Sequence, residues 1–103
     1  MTGIRLDPKE LDLIRQSFRQ FFLKQDKLWL FGSRAKPELK GGDIDLYIET
    51  DYTTPEDAIM ARLRFLTELK IHLGDQKIDV VLKYGEHHLP IYKIAQEEGI
   101  RLI

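Results

Sequence analysis

The segment Asp43-Ile44-Asp45-Leu46-Tyr47-Ile48-Glu49 alternates polar with apolar residues. Successive side chains on a strand point to opposite faces, so this period of two predicts a strand with one covered face and argues against a helix. It also places Asp43 and Asp45 on the same face, with Cα atoms about 6.6 Å apart at a rise of ~3.3 Å per residue. Asp is disfavoured in strands and like charges at this spacing repel, so the pair calls for a reason. A solvated strand face is one reason. Convergence of two carboxylates on a cation is another.

The rest of the chain reads as helices and strands around that segment. Asp7-Pro8-Lys9-Glu10 combines a capping residue, a proline suited to the first helical position and a glutamate that can return a capping-box bond. Leu11, Ile14, Phe18 and Phe21 follow at helical spacing, which predicts a helix to about Lys24. Leu28 to Phe31 is short, apolar and aromatic and ends at Gly32, the pattern of a buried strand before a sharp turn. Ser33 to Gly42 reads as a loop. Thr54-Pro55-Glu56-Asp57 opens a second helix, whose expected buried face is Ile59, Leu63, Leu66, Leu69 and Leu73, with Gly74 as its C-cap. Lys77 to Lys83 is a β-branched third strand, Pro90 to Glu98 a third helix ending at Gly99, and Ile100 to Ile103 a tail or edge strand.

Composition narrows the class. The 103 residues are expected to form one domain, 1–103; with 43% hydrophobic and 10% aromatic side chains, that domain can bury a core. There is no cysteine, so disulfides, thiol chemistry and Cys-held zinc are excluded, and any metal must be held by oxygen or imidazole. No apolar run nears the roughly 18–20 residues that span a bilayer, and Met1 to Asp7 lack the plan of a signal peptide, so a cytoplasmic location with no membrane contact is expected. The formal net charge is -1, which gives no reason to expect nucleic acid as a direct ligand. The charge is unevenly spread, however, with a basic excess up to Gly42 and an acidic excess from Asp43 onward.

Three features together carry chemistry: Gly32-Ser33 directly after a strand, Asp43 and Asp45 on the next, and Asp79 inside the third. Two carboxylates on one face, joined by a third, suit a pair of hard divalent cations about 3.5–4 Å apart, the arrangement used for in-line displacement at phosphorus. Mg²⁺ fits that donor set, and Asp79 can also take a proton from an attacking hydroxyl. Gly32 allows close approach of a phosphate to the backbone, the Ser33 hydroxyl adds a donor, and Arg34, Lys36 and Lys40 bring cations to the same loop.

Leu30-Phe31-Gly32-Ser33-Arg34-Ala35 and, after nine residues between Ser33 and Asp43, Gly42-Asp43-Ile44-Asp45-Leu46 resemble the Gly-Ser…Asp-x-Asp signature of the DNA polymerase β-like nucleotidyltransferase superfamily. The small size and the ending Ile91-Tyr92-Lys93-Ile94-Ala95-Gln96-Glu97-Glu98-Gly99 resemble its minimal nucleotidyltransferase (MNT) branch. The resemblance implies an α/β fold of the α+β kind, with a small mixed sheet packed with helices, two Mg²⁺ ions, and transfer of a nucleoside monophosphate from an NTP such as ATP with release of pyrophosphate. By position, Gly32, Ser33 and Arg34 match triphosphate binding, Asp43 and Asp45 the metal ligands, and Asp79 the third carboxylate. Larger relatives carry an additional helical domain that holds the acceptor. Proteins of the MNT branch are commonly paired with a small helical HEPN protein as antitoxin to a ribonuclease toxin, and can transfer AMP to a toxin tyrosine.

Two other functions stay open on these residues: an antitoxin that neutralises its partner by binding without turnover, and a transferase acting on a small aminoglycoside-type molecule. The remaining residues have plainer readings. His87 and His88 precede Pro90 without an acidic partner at helical spacing, which suits a solvated loop, and His72 suits an exposed helix position. Trp29 reads as core, while Arg62, Arg64 and Lys70 read as a wet helix face. Phe18, Phe21 and Phe22 cannot all face one way on a helix, so one of them is a candidate for a homo-oligomer or partner surface.

Overall fold

The computed structural model describes residues 6–32, 43–74, 76–85 and 89–103. The expected capping box opens α1 (Pro8–Phe21): the Asp7 carboxylate accepts from the Glu10 N–H at 2.8 Å, and the Glu10 carboxylate accepts from the Asp7 N–H at 3.2 Å. The helix stops short of Lys24. The carboxylate of Asp26 takes the Leu23 N–H at 2.8 Å, while the Phe22 N–H still reaches the Phe18 carbonyl, so the last turn is closed from outside the helix.

Then follow β1 (Lys27–Phe31), β2 (Ile44–Glu49), α2 (Pro55–Leu73), β3 (Ile78–Lys83), α3 (Pro90–Glu98) and β4 (Ile100–Arg101). The strands lie in the order β3-β2-β1-β4. Strands β2 and β3 are parallel, joined by the crossover through α2, while β1 is antiparallel to both β2 and β4. The fold is therefore a small mixed sheet with three helices, and Ile100–Arg101 forms an edge strand.

Alternation along the strands sorts the core into two parts. Ile44, Leu46 and Ile48 face α1 and α2, where they meet Ile14, Phe18, Phe22, Phe65 and Leu69. Tyr47 faces the other way and is also fully buried, against Trp29, Tyr92 and Ala95. The expectation of one covered face for this strand is corrected accordingly: α3 covers the second face along the middle of β2. Trp29 is core, as expected, and the Arg101 guanidinium from the edge strand lies 5.1 Å from the centroid of its ring.

The buried face of α2 also differs from expectation. Ala58, Ala61, Phe65 and Leu69 are buried, whereas Ile59 and Leu63 are exposed. Phe65 sets the rotation by packing edge-on to both Phe18 and Phe22, each 5.8 Å away, and the two alanines let the helix approach closely. Arg62 is turned inward by the same rotation. Its Nε donates to the Val80 carbonyl at 3.2 Å, so it is not part of a wet face. Phe18 and Phe22 stack at 4.8 Å, and Phe21 packs at the margin of the same cluster. Among the described residues, no helix is long and apolar enough to cross a membrane.

One buried acid ties the sheet to α1. Asp26 is 3% exposed and accepts from the Leu23 N–H, the Thr50 hydroxyl at 2.6 Å and the Asp51 N–H at 2.8 Å, joining the start of β1 to the end of β2. Asp26→Ala strands these three donors and is expected to cost about 3 kcal/mol, seen as a fall in Tm of at least about 10 °C in thermal denaturation.

Candidate active site

Pairing between strands brings the predicted acids to one end of one sheet face. In the antiparallel ladder Phe31 lies opposite Asp45, and in the parallel ladder Asp45 lies opposite Asp79. Asp45 is thus bounded by the end of β1 on one side and by Asp79 on the other. Asp43, two residues earlier on the same face, precedes the strand, and the Ile44 N–H to Lys77 carbonyl bond of 3.0 Å fixes the entry of β2 against that of β3.

Gly32 is defined by its contact with Asp45. Its φ is +74°, where L side chains are strained, and a Cβ at this position would run into the Asp45 Oδ2. The absence of a side chain lets the carboxylate lie directly on the backbone at the end of β1. Asp43 and Asp45 are half-buried and Asp79 is exposed.

The electrostatics show an excess of negative charge. Burial raises the Asp45 carboxyl above its usual range, repulsion from Asp79 and Asp43 raises it further, and Lys77 works in the opposite direction. The Lys77 Nζ sits 3.5 Å from the Asp43 Oδ2, with both side chains substantially exposed. Lys77 is a participant that the sequence reading did not single out. The signal was present, because a residue two positions before Asp79 on an extended segment shares its face.

The donor chemistry fits a hard divalent cation: several carboxylate oxygens on one face, with repulsion that a cation would relieve. Geometrically the cage is unfinished. Among the described residues, no group of three or more His, Asp or Glu side chains is close enough to hold an ion. Ser33 and Arg34, together with Lys36 and Lys40, lie outside the described residues, as do His87 and His88. His72 is exposed and pairs with Glu68 at 2.8 Å on α2.

Behind the acids, the same face of β2 becomes aromatic. Tyr47 packs against Trp29 and Tyr92 at centroid distances of 5.2 and 5.6 Å. Its hydroxyl donates to the Glu49 Oε2 at 2.7 Å, and Gln96 of α3 donates to the same oxygen. Burial, followed by the bond to Glu49, pushes the Tyr47 phenol far above its ordinary range, so it stays neutral. The Tyr92 hydroxyl donates to the Leu82 carbonyl at 3.2 Å and anchors α3 to β3.

A family model described as nucleotidyltransferase domain matches residues 11–102, which includes every described element from the first turns of α1 to β4. Among curated proteins, no match to the chain was found.

Two outcomes are expected from this geometry. Gly32→Ala combines backbone strain with a collision at Asp45 and is expected to lower stability by about 1–2 kcal/mol in urea unfolding; a variant as stable as the parent would contradict the close approach. A carboxyl raised in the fold binds its proton more readily folded than unfolded, so it costs stability as pH rises above the ordinary aspartate value of 3.8. Asp45→Asn is therefore expected to raise Tm at neutral pH, with the gain shrinking as pH falls towards 3.8 and absent below it.

Proposed function

The chain belongs to the nucleotidyltransferase domain family, and we propose that it transfers AMP from ATP, with Mg²⁺, to a hydroxyl of a small helical HEPN-type partner protein. On this reading residues 1–103 act as one minimal transferase unit and as the antitoxin of a ribonuclease toxin. The observation that carries the proposal is Asp45 held between the Gly32 backbone and Asp79, at one end of the sheet, with Asp43 beside it. The resemblance of Gly32-Ser33-Arg34, Asp43-Ile44-Asp45 and Ile91 to Gly99 to the MNT branch supports the choice of a protein acceptor.

Asp43, Asp45 and Asp79 would hold the metal, with two ions expected; when bound, they supply Lewis-acid stabilisation of charge on the phosphates. The rest follows from the chain's own groups. Strands β1 and β3 fix the backbone of Asp45 from both sides, so its carboxylate is positioned before substrate arrives. Gly32, Ser33 and Arg34 would bind the triphosphate, as the resemblance of Gly32-Ser33-Arg34 to the family signature implies. The acceptor oxygen attacks the α-phosphorus, the bond to the oxygen bridging the α- and β-phosphorus breaks, and pyrophosphate leaves with that oxygen. The acceptor proton passes to the carboxylate of Asp79, which is open to solvent and hence to an incoming hydroxyl. Lys77 lies 3.5 Å from the Asp43 carboxylate and offsets part of the negative charge at this end of the sheet.

Transfer of label from α-labelled ATP to the partner is the test. Asp43→Asn and Asp45→Asn are each expected to reduce it at least about 100-fold. Each is also expected to abolish the rise in Tm that Mg²⁺ gives the parent protein. Transfer that survives both substitutions would sink the assignment. Full suppression of toxicity in cells by the double variant would favour neutralisation by binding, and label appearing only on a hydroxylated antibiotic would favour a small-molecule acceptor.

A further inference from the structure

Helix α2 is apolar on the side turned away from the sheet as well as on the side that packs. Ile59 is 53% exposed, Met60 46%, Leu63 53% and Ile71 69%. With 3.6 residues per turn these side chains and Thr67 form one stripe along a helix of 19 residues, about 28 Å long. The Thr67 hydroxyl donates to the Leu63 carbonyl at 2.8 Å, so no unpaired hydroxyl interrupts the stripe. From Ile59 to Ile71 the band runs about 18 Å at ~1.5 Å per residue, and an exposed apolar band of this kind on a small protein is the mark of an interaction surface.

Charge at the two ends of the stripe identifies the occupant. The first turn of α2 holds Glu56 and Asp57, and the last holds Lys70 and His72. We propose that α2 docks against α2 of a second copy of this chain, antiparallel across a two-fold axis at Leu63. In that register Leu63 meets its own copy, Ile59 meets Thr67, and Glu56 meets Lys70 on both sides of the axis. A self-complementary patch of this kind closes as a dimer. A parallel arrangement would set Glu56 and Asp57 against their own copies. The helix macrodipoles also oppose in the antiparallel pair. Because α2 lies across the sheet from Asp43, Asp45 and Asp79, the dimer leaves both acidic faces open, and the proposal is independent of the transfer chemistry.

Sedimentation velocity of the full chain over about 1 to 200 μM is the test. The parent protein is expected to show a monomer–dimer equilibrium. Leu63→Glu changes a half-exposed residue, so the protomer stays folded, as its Tm at the lowest concentration will show. The substitution falls at the axis in both copies and is expected to weaken the dimer by about 100-fold. Glu56→Lys alone is expected to weaken it by about 10-fold, and Glu56→Lys combined with Lys70→Glu to restore it. A parent chain that is monomeric throughout, or a dimer indifferent to Leu63→Glu, overturns the proposal. Failure of the double charge exchange to restore the dimer overturns the antiparallel register.

Discussion

Parallel pairing of β2 with β3 is the constraint on which the rest depends. Its register sets Ile44, Leu46 and Ile48 beside Ile78, Val80 and Leu82, six aliphatic side chains of one parity facing α1 and α2. Each buried aliphatic contributes roughly 1.5–3 kcal/mol, whereas like charges opposite one another on adjacent strands cost at most about 1 kcal/mol. The apolar parity therefore decides the register. The other parity follows: a slip of one residue would turn the whole apolar row outward, and a slip of two would set Ile48 against Tyr84 or Ile44 against Gln76, so Asp45 lies beside Asp79. The acidic cluster is imposed by the core on its opposite face, and the Asp45 carboxyl is raised first by its burial there and then by repulsion from Asp79 and Asp43.

The face that carries the acids is built in two zones. At the start of β2 stand Asp43 and Asp45; two residues later the same face is closed by Tyr47, packed between Trp29 and Tyr92. The bonds from Tyr47 and Gln96 to Glu49 lock the far end of the strand to α3, so Asp45 stands at the mouth of a rigid wall. The same helices also finish the sheet. Lys77 and Lys83 direct their carbonyls to β2, which leaves those of Val80 and Leu82 pointing outward at the edge. Arg62 of α2 takes the first and Tyr92 of α3 the second, from opposite faces, removing the acceptors that another strand would need.

What the sequence made legible was local. The Asp7 and Thr54 caps, the alternation of β2, the glycine after β1 and the bounds of α3 follow from residues within a few positions of one another. The phase of α2 was not legible, because its sequence carries two apolar stripes. Judged by side-chain size, Ile59 and Leu63 outweigh Ala58 and Ala61; in the fold the small residues win, because they admit close approach and leave Phe65 to fill the space between Phe18 and Phe22. For a related reason the partners of Asp26 and Lys77 carry no local signal, and Arg62 reads from sequence as part of a wet face. Asp26 finds Thr50 and Asp51, Arg62 finds Val80, and Lys77 finds Asp43, all beyond the reach of any local pattern. At the candidate site, the residue types were visible from their spacing, but the adjacency of Gly32, Asp45 and Asp79 needed both ladders at once.

The sheet also separates two demands that would interfere on a single surface. A site for phosphate chemistry needs open carboxylates and a hydrated approach, whereas a docking surface needs apolar side chains with few charges to desolvate. In this fold the acids occupy the α3 side and the exposed stripe the outer side of α2, with the fully buried row Ile44, Leu46 and Ile48 between them. Docking on α2 therefore removes no water from Asp43, Asp45 or Asp79, and an acceptor approaching the exposed Asp79 meets no part of that stripe. The two surfaces still share one rigid connection, since Arg62 of α2 bonds the carbonyl of Val80, next in sequence to Asp79. Any rotation of α2 large enough to bury the outer stripe against its own sheet would break that bond, strand a carbonyl at the β3 edge and draw Phe65 away from Phe18 and Phe22. The stripe is held outward by the same contacts that hold the acidic end of β3 in place.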